Sequence, residues 1–130
     1  MPERRSILII DDDPDLLELL AWQLTQEGFV VTAMSSGERG LQAVDAQRFD
    51  VILLDMLMPN QDGLVIAEAL RSRPNAQQVP VILMTAMANE TYWEVLPNDT
   101  RGPGYVMGKA CAMDLFIARI TEVLARPSES

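Results

Sequence analysis

The sequence predicts a doubly wound α/β domain, a five-stranded parallel sheet with helices on both faces. Short, nearly all-aliphatic runs recur along the chain (SILII, FVVTA, VILLD, VILMT). Strands buried on both faces read this way, whereas half-exposed strands alternate apolar with polar residues. Segments with helical spacing separate the runs, and strand–helix alternation produces parallel strands joined by crossovers. Acidic, hydroxyl and ammonium side chains fall where the runs end, at the edge where open parallel sheets gather ligands.

The first strand is residues 6–10. Residues 15–26 follow as a helix, in which Leu16, Leu20 and Leu24 fall four apart and Leu17 and Leu19 widen the apolar stripe. Gly28 suits its carboxyl cap, a position that favours left-handed backbone. Residues 29–33 form the second strand. Ser36-Gly37-Glu38 opens a second helix carrying Leu41 and Val44. Residues 49–54 form the third strand, which closes on Asp55. Residues 63–71 form a third helix with Val65, Ile66, Ala69 and Leu70, and residues 79–85 the fourth strand. Residues 88–96 are compatible with a helix that Pro97 stops, and 98–104 reads as loop. Residues 105–107 make a short fifth strand. Residues 114–125 close the domain as a helix with Phe116, Ile117, Ile120, Val123 and Leu124 on one side. The expected domain is residues 1–125, with 126–130 a polar tail or linker stub. The expected strand order is that of flavodoxin-like sheets.

Composition narrows the function. The 130 residues suffice for one core, and a hydrophobic content of 48% supports a folded globule. No apolar stretch approaches the roughly 18 residues a membrane span needs, and the run at residues 7–10 is too short for a signal-peptide core. One cysteine excludes an internal disulfide, and the absence of histidine removes Ser-His-Asp and Cys-His nucleophile systems. A net charge of −9 argues against direct nucleic-acid binding by this segment. The expected setting is a reducing cytoplasm.

The predicted strand ends carry Asp11-Asp12-Asp13, Asp55, Thr85 and Lys109. Carboxylates brought together repel one another, and Mg²⁺, a hard cation that takes oxygen ligands, relieves that repulsion. A carboxylate can itself accept a phosphoryl group. A lysine and a threonine hydroxyl can then hold phosphoryl oxygens.

These residues carry a resemblance to the receiver domain of two-component response regulators, over residues 7 to 124. The matching segments are ILIIDDD, LLDMLMPNQDG, VPVILMTA and the late Lys109, with 43 residues from Asp12 to Asp55 and 30 from Asp55 to Thr85. The resemblance implies that Asp55 accepts a phosphoryl group from a phosphohistidine on a sensor histidine kinase or histidine phosphotransfer protein. It implies Mg²⁺ held by Asp12 directly, Asp11 through water, Asp55, and the Leu57 backbone carbonyl, with Asp13 outside the direct ligands. It assigns phosphoryl stabilisation to Thr85, Ala86 and Lys109, and switching to Thr85 with Tyr105 or Val106. A homodimer through the last helix and strand is an assembly it allows. Leu57 and Met87, at positions that gate hydrolytic water in the family, imply slow self-dephosphorylation.

The chain departs from the family pattern after Thr85. The 24-residue spacing from Thr85 to Lys109 is slightly long, Ala110 replaces the usual proline, and Val106 stands where the relay aromatic is expected, with Tyr105 one residue earlier. A one-residue offset in a strand exchanges faces. Two competing functions follow. A phosphorylation-independent pseudo-receiver would need the altered switch half and no use of the acids. An aspartyl-phosphate phosphatase of the haloacid dehalogenase type would need a second Asp two residues after the nucleophile, where Leu57 stands. Gly108-Lys109 is not a phosphate loop, because Pro103 and Ala110 occupy the required Gly and Ser/Thr positions.

Overall fold

In the computed structural model, β1 (Ser6–Ile10) and β3 (Val51–Asp55) lie side by side at the centre of a five-stranded parallel sheet. The structure describes residues 5–55, 57–58, 61–85, 104–108, 117–118, 120–121 and 124. For 57–58, 61–62, 64, 85 and 104–108 the description is of the backbone alone.

The remaining elements are α1 (Pro14–Gln26), β2 (Val30–Met34), α2 (Gly37–Ala46), β4 (Leu57–Met58), β5 (Gln61–Asp62), α3 (Gly63–Arg71), β6 (Val81–Thr85) and β7 (Gly104–Gly108). The sheet order is β2-β1-β3-β6-β7, the flavodoxin-like order expected. All its pairings are parallel. A separate antiparallel pair, β4 with β5, forms in the segment after Asp55 and leads into α3.

Two cores follow from strand alternation. Leu8, Ile10, Ile52, Leu54, Val81 and Leu83 pack on one face with Ala43 and Val44 of α2 and Ile66 and Leu70 of α3. Ile7, Ile9, Val51, Leu53, Ile82 and Met84 pack on the other with Leu17, Leu20 and Leu24 of α1 and with Ile120. Side chains two apart share a face, so an unbroken aliphatic run feeds both layers. Each fully buried aliphatic side chain stabilises the fold by roughly 1.5–3 kcal/mol.

The element boundaries shift from the sequence expectation for local reasons. α1 begins at Pro14 rather than Asp15, because Asp13 caps it: its side chain accepts from the Asp15 and Leu16 backbone N–H groups at 3.1 and 3.3 Å. Proline at the first helical position loses no hydrogen bond. Gly28 ends α1 as expected, with φ +99°. The Gly28 N–H donates to Thr25 O and the Phe29 N–H to Leu24 O, so residue 29 is spent on the cap and β2 starts at Val30.

Phe49 is a core residue outside β3, and the Asp50 N–H donates to Ser6 O. Val79 donates to Ala76 O in a turn, so β6 begins at Val81 rather than 79. β7 is longer than the expected 105–107. Leu19 does not widen the buried stripe of α1: it is 49% exposed, as is Trp22 at 58%, while Leu17, Leu20 and Leu24 suffice to cover the sheet. Residues 117–118, 120–121 and 124 are helical, with Ile120 fully buried, in agreement with the expected closing helix. The expected helix at 88–96, residues 98–103 of the expected 98–104 loop, Phe116, Val123 and the tail at 126–130 lie outside the described residues, while Gly104, the last residue of that loop, is instead the first of β7, in register with Val81.

Candidate functional site

The parallel register places the ends of β1 and β3 together. Ile10 pairs with Leu54 in the last full row, and Asp11 and Asp55 are the next residues on each strand. Both are buried, Asp11 at 0% and Asp55 at 1% exposure, and they are the buried charged residues among those described. Asp12, beside them, is exposed. One carboxylate oxygen from each of Asp11, Asp12 and Asp55 lies within 4.8 Å of the others.

Backbone contacts hold Asp11 in place. Its N–H donates to Met34 O at 3.1 Å, tying the end of β1 to the end of β2. Its Oδ1 accepts from the Asp13 N–H at 2.8 Å. Asp13 is committed to capping α1 and is not among the clustered acids, so the three consecutive aspartates divide into two site residues and one structural cap. The cap also sets the positive end of the α1 dipole beside the site, where negative charge is favoured.

The arrangement fits a small divalent cation. The donors are all hard oxygens, the set Mg²⁺ prefers. A cation with ligands at about 2.1 Å separates trans oxygens by about 4.2 Å, so this cluster is compact enough for all three carboxylates to reach the ion or its waters. Mutual repulsion among three carboxylates supplies the electrostatic reason for a cation there.

The other expected site residues are placed unevenly. The backbone of Leu57 lies in β4, in register with Asp62. Thr85 ends β6 and pairs with Gly108, the residue before Lys109. Tyr105 is in register with Ile82 and Val106 with Leu83, in a ladder that pairs one to one from Gly104 to Gly108. Ala86, Met87, Lys109 and Ala110 lie outside the described residues. Sequence reasoning did not single out Gly40, in the middle of α2. A glycine interrupting a helical pattern was the available signal, since it destabilises a helix unless close packing requires it.

Residues 7–118 match the response regulator receiver domain family, and the chain belongs to that family. It is a phosphoacceptor receiver domain whose clustered aspartates match the magnesium-binding acidic site of such domains. Receiver domains act as phosphoacceptor and autophosphatase modules rather than as enzymes with an external substrate. Membership supports a cognate histidine kinase as the interacting protein.

Among relatives, the transcriptional activator protein PfeR of Pseudomonas aeruginosa is 35% identical over 120 residues, which are 92% of this chain and 38% of that protein. The chain spans about two-fifths to half the length of the curated relatives it matches. Among solved structures, the Vibrio cholerae chemotaxis protein CheY4 superposes with a TM-score of 0.83 at 20% identity, covering 93% of this chain and 99% of that one. The response regulator TrrA of Thermotoga maritima, in complex with Mg²⁺ and BeF, gives a TM-score of 0.76 at 28% identity, covering 92% and 98%. No helix among the described residues is long and apolar enough to cross a membrane.

Proposed function

We propose that Asp55 is the phosphoacceptor, with Asp11 and Asp12 as its cation-holding partners. The observation that carries this reading is the burial of Asp55 at the carboxyl end of a central strand, within 4.8 Å of two other carboxylates. Asp12 and Asp55 would hold Mg²⁺ with the Leu57 carbonyl, and Asp11 would act through a water. The bound cation would neutralise charge between the carboxylates and an incoming phosphoryl group. TrrA's complex with Mg²⁺ and BeF supports the same assignment here.

In the transfer, a carboxylate oxygen of Asp55 attacks phosphorus and the P–N bond to a kinase or phosphotransfer histidine breaks. The imidazole leaves and takes a proton. Transfer of this kind depends on positioning and charge stabilisation more than on acid–base chemistry. Thr85, Ala86 and Lys109 would receive the phosphoryl oxygens, and the pairing of Thr85 with Gly108 supports the placement of a residue at 109 for that task. Phosphorylation converts the singly charged carboxylate into an acyl phosphate carrying about −1.5 to −2, a net gain of about one negative charge, and biases a two-state equilibrium. The switch would involve Thr85 with Tyr105 or Val106, in a receiver unit of residues 1–125 acting in the cytoplasm. A homodimer through the last helix and strand belongs to the same proposal.

The test is incubation with acetyl phosphate and Mg²⁺, read by intact mass. Wild type is expected to gain one phosphoryl group and Asp55→Asn none. Equal uptake by the two proteins would reject Asp55 as the acceptor.

A further inference from the structure

We propose that Gly40 and Ile10 form a size-matched pair that positions the acid site, with Gly40 as a positioning residue for Asp11. The inference rests on the reading of Asp11, Asp12 and Asp55 as a cation site and adds the packing that holds it in shape.

Gly40 lies within α2, directly over the end of β1. A methyl group at this position would stand 2.7 Å from Ile10 Cγ1 and nearer still to Cδ1. Ile10 is fully buried, and a β-branched side chain in a filled core has few other rotamers to adopt. Only the absence of a side chain at residue 40 therefore lets α2 sit at this height over the sheet.

The row beneath Gly40 is the one immediately before the acids. Ile10 pairs with Met34 on one side and Leu54 on the other. Asp11 follows Ile10 and Asp55 follows Leu54 directly in the chain. An over-packed residue 40 has two outlets. It can push Ile10 against Leu54, which spreads the strand ends bearing the two buried carboxylates. It can instead lift α2, whose first turn is held by the Ser36 cap: Ser36 Oγ accepts from the Arg39 N–H at 3.2 Å and Ser36 O from the Gly40 N–H at 3.0 Å. That cap lies two residues from Met34, whose carbonyl accepts the Asp11 N–H. Both outlets reach the site, and metal sites tolerate only small displacements of their ligands.

The test compares wild type, Gly40→Ala, Ile10→Val and the double variant by calorimetric titration with Mg²⁺. Measurements are made at a temperature where melting curves show each protein folded. Gly40→Ala is expected to weaken Mg²⁺ binding about tenfold, in the range lost when a supporting residue of a metal site is removed. Ile10→Val in the same chain removes Cδ1, the nearer of the two clashing carbons, and the double variant is expected to recover part of the loss. A purely structural role would lower the melting temperature and leave the affinity of the folded protein unchanged. That result, or a double variant no tighter than Gly40→Ala, overturns the proposal. If Gly40→Ala does not fold, a double variant that folds and binds as wild type supports the pair. One that does not fold, or that binds Mg²⁺ about tenfold more weakly than wild type, overturns it. Wild type that binds no Mg²⁺ instead overturns the cation-site reading, a different failure visible before any variant is compared.

Discussion

At the amino-terminal end of the sheet, Asp50 accepts from the Ser6 N–H at 2.7 Å and from Ser6 Oγ at 3.3 Å, and Arg5 Nη1 stands 3.8 Å from its other oxygen. At the carboxyl-terminal end of the same strands, Asp11 and Asp55 are buried deeper and face each other and Asp12. One end surrounds a carboxylate with donors and a cation, which is a structural clasp. The other end gathers like charges, an arrangement that opposes folding unless a ligand requires it. The contrast separates aspartates that hold the fold from aspartates that the fold holds for chemistry.

The largest test of the contrast is all or none. Asp55→Asn is expected to abolish phosphoryl uptake from acetyl phosphate, while Asp50→Asn leaves uptake at the wild-type level. Phosphate-affinity gel mobility reads both. Loss of uptake in both variants would mean the two ends are coupled and the separation is wrong.

The next test concerns the cation. Asp12→Asn is expected to weaken Mg²⁺ binding by about 10- to 100-fold, measured by calorimetry. Without Mg²⁺ the same variant should melt at a higher temperature than wild type, since one of three repelling charges is gone. Added Mg²⁺ stabilises wild type by binding the native state, and this gain should shrink in the variant. A lower melting temperature in metal-free buffer would contradict the repulsion argument.

A smaller effect is expected at the clasp. Asp50→Ala removes the acceptor for the Ser6 N–H and should cost about 1–2 kcal/mol in urea unfolding, with partial exposure keeping it at the low end for charged hydrogen bonds. Mg²⁺ affinity should not change.

Much of this was legible in the sequence because strong signals coincided. The runs at β1 and β3 are aliphatic throughout, so their burial and the position of Asp55 at a strand end followed directly. The division of labour among Asp11, Asp12 and Asp13 came from the family resemblance rather than from composition or spacing. Composition alone cannot say which aspartate caps a helix, although Asp13 followed by Pro14 is a recognisable start signal. The β4–β5 pair was hidden because two-residue strands carry no periodicity. Gly40 was hidden for another reason: its importance lies in contact with Ile10, thirty residues away, and no local pattern reports a missing side chain. Leu19 shows the converse error, since an apolar residue at the edge of a stripe is as compatible with solvent as with the core.

Arg71 sharpens the comparison from the cationic side. It is the last residue of α3, and its Nε and Nη1 are buried with no hydrogen-bond partner among the described residues. Nearby in sequence, Arg73 pairs with Asp45. Burial lowers the Arg71 pKa from its ordinary value by desolvating the cation. A base with a lowered folded pKa gains stability only as pH rises toward the unfolded value, so the penalty is constant across neutral pH. The helix C-terminus offsets part of it, because the dipole favours a cation there. Replacing Arg71 with Met keeps the aliphatic stem and removes both buried donors, so stability at pH 7 should change by less than about 1 kcal/mol and in the favourable direction. Arg73→Met, which removes a partner from Asp45, should lower stability by a similarly small amount. Urea midpoints of the two variants decide the matter: a clear loss in Arg71→Met would show that the guanidinium is held in place by an anion and belongs with the clasped charges rather than the costly ones.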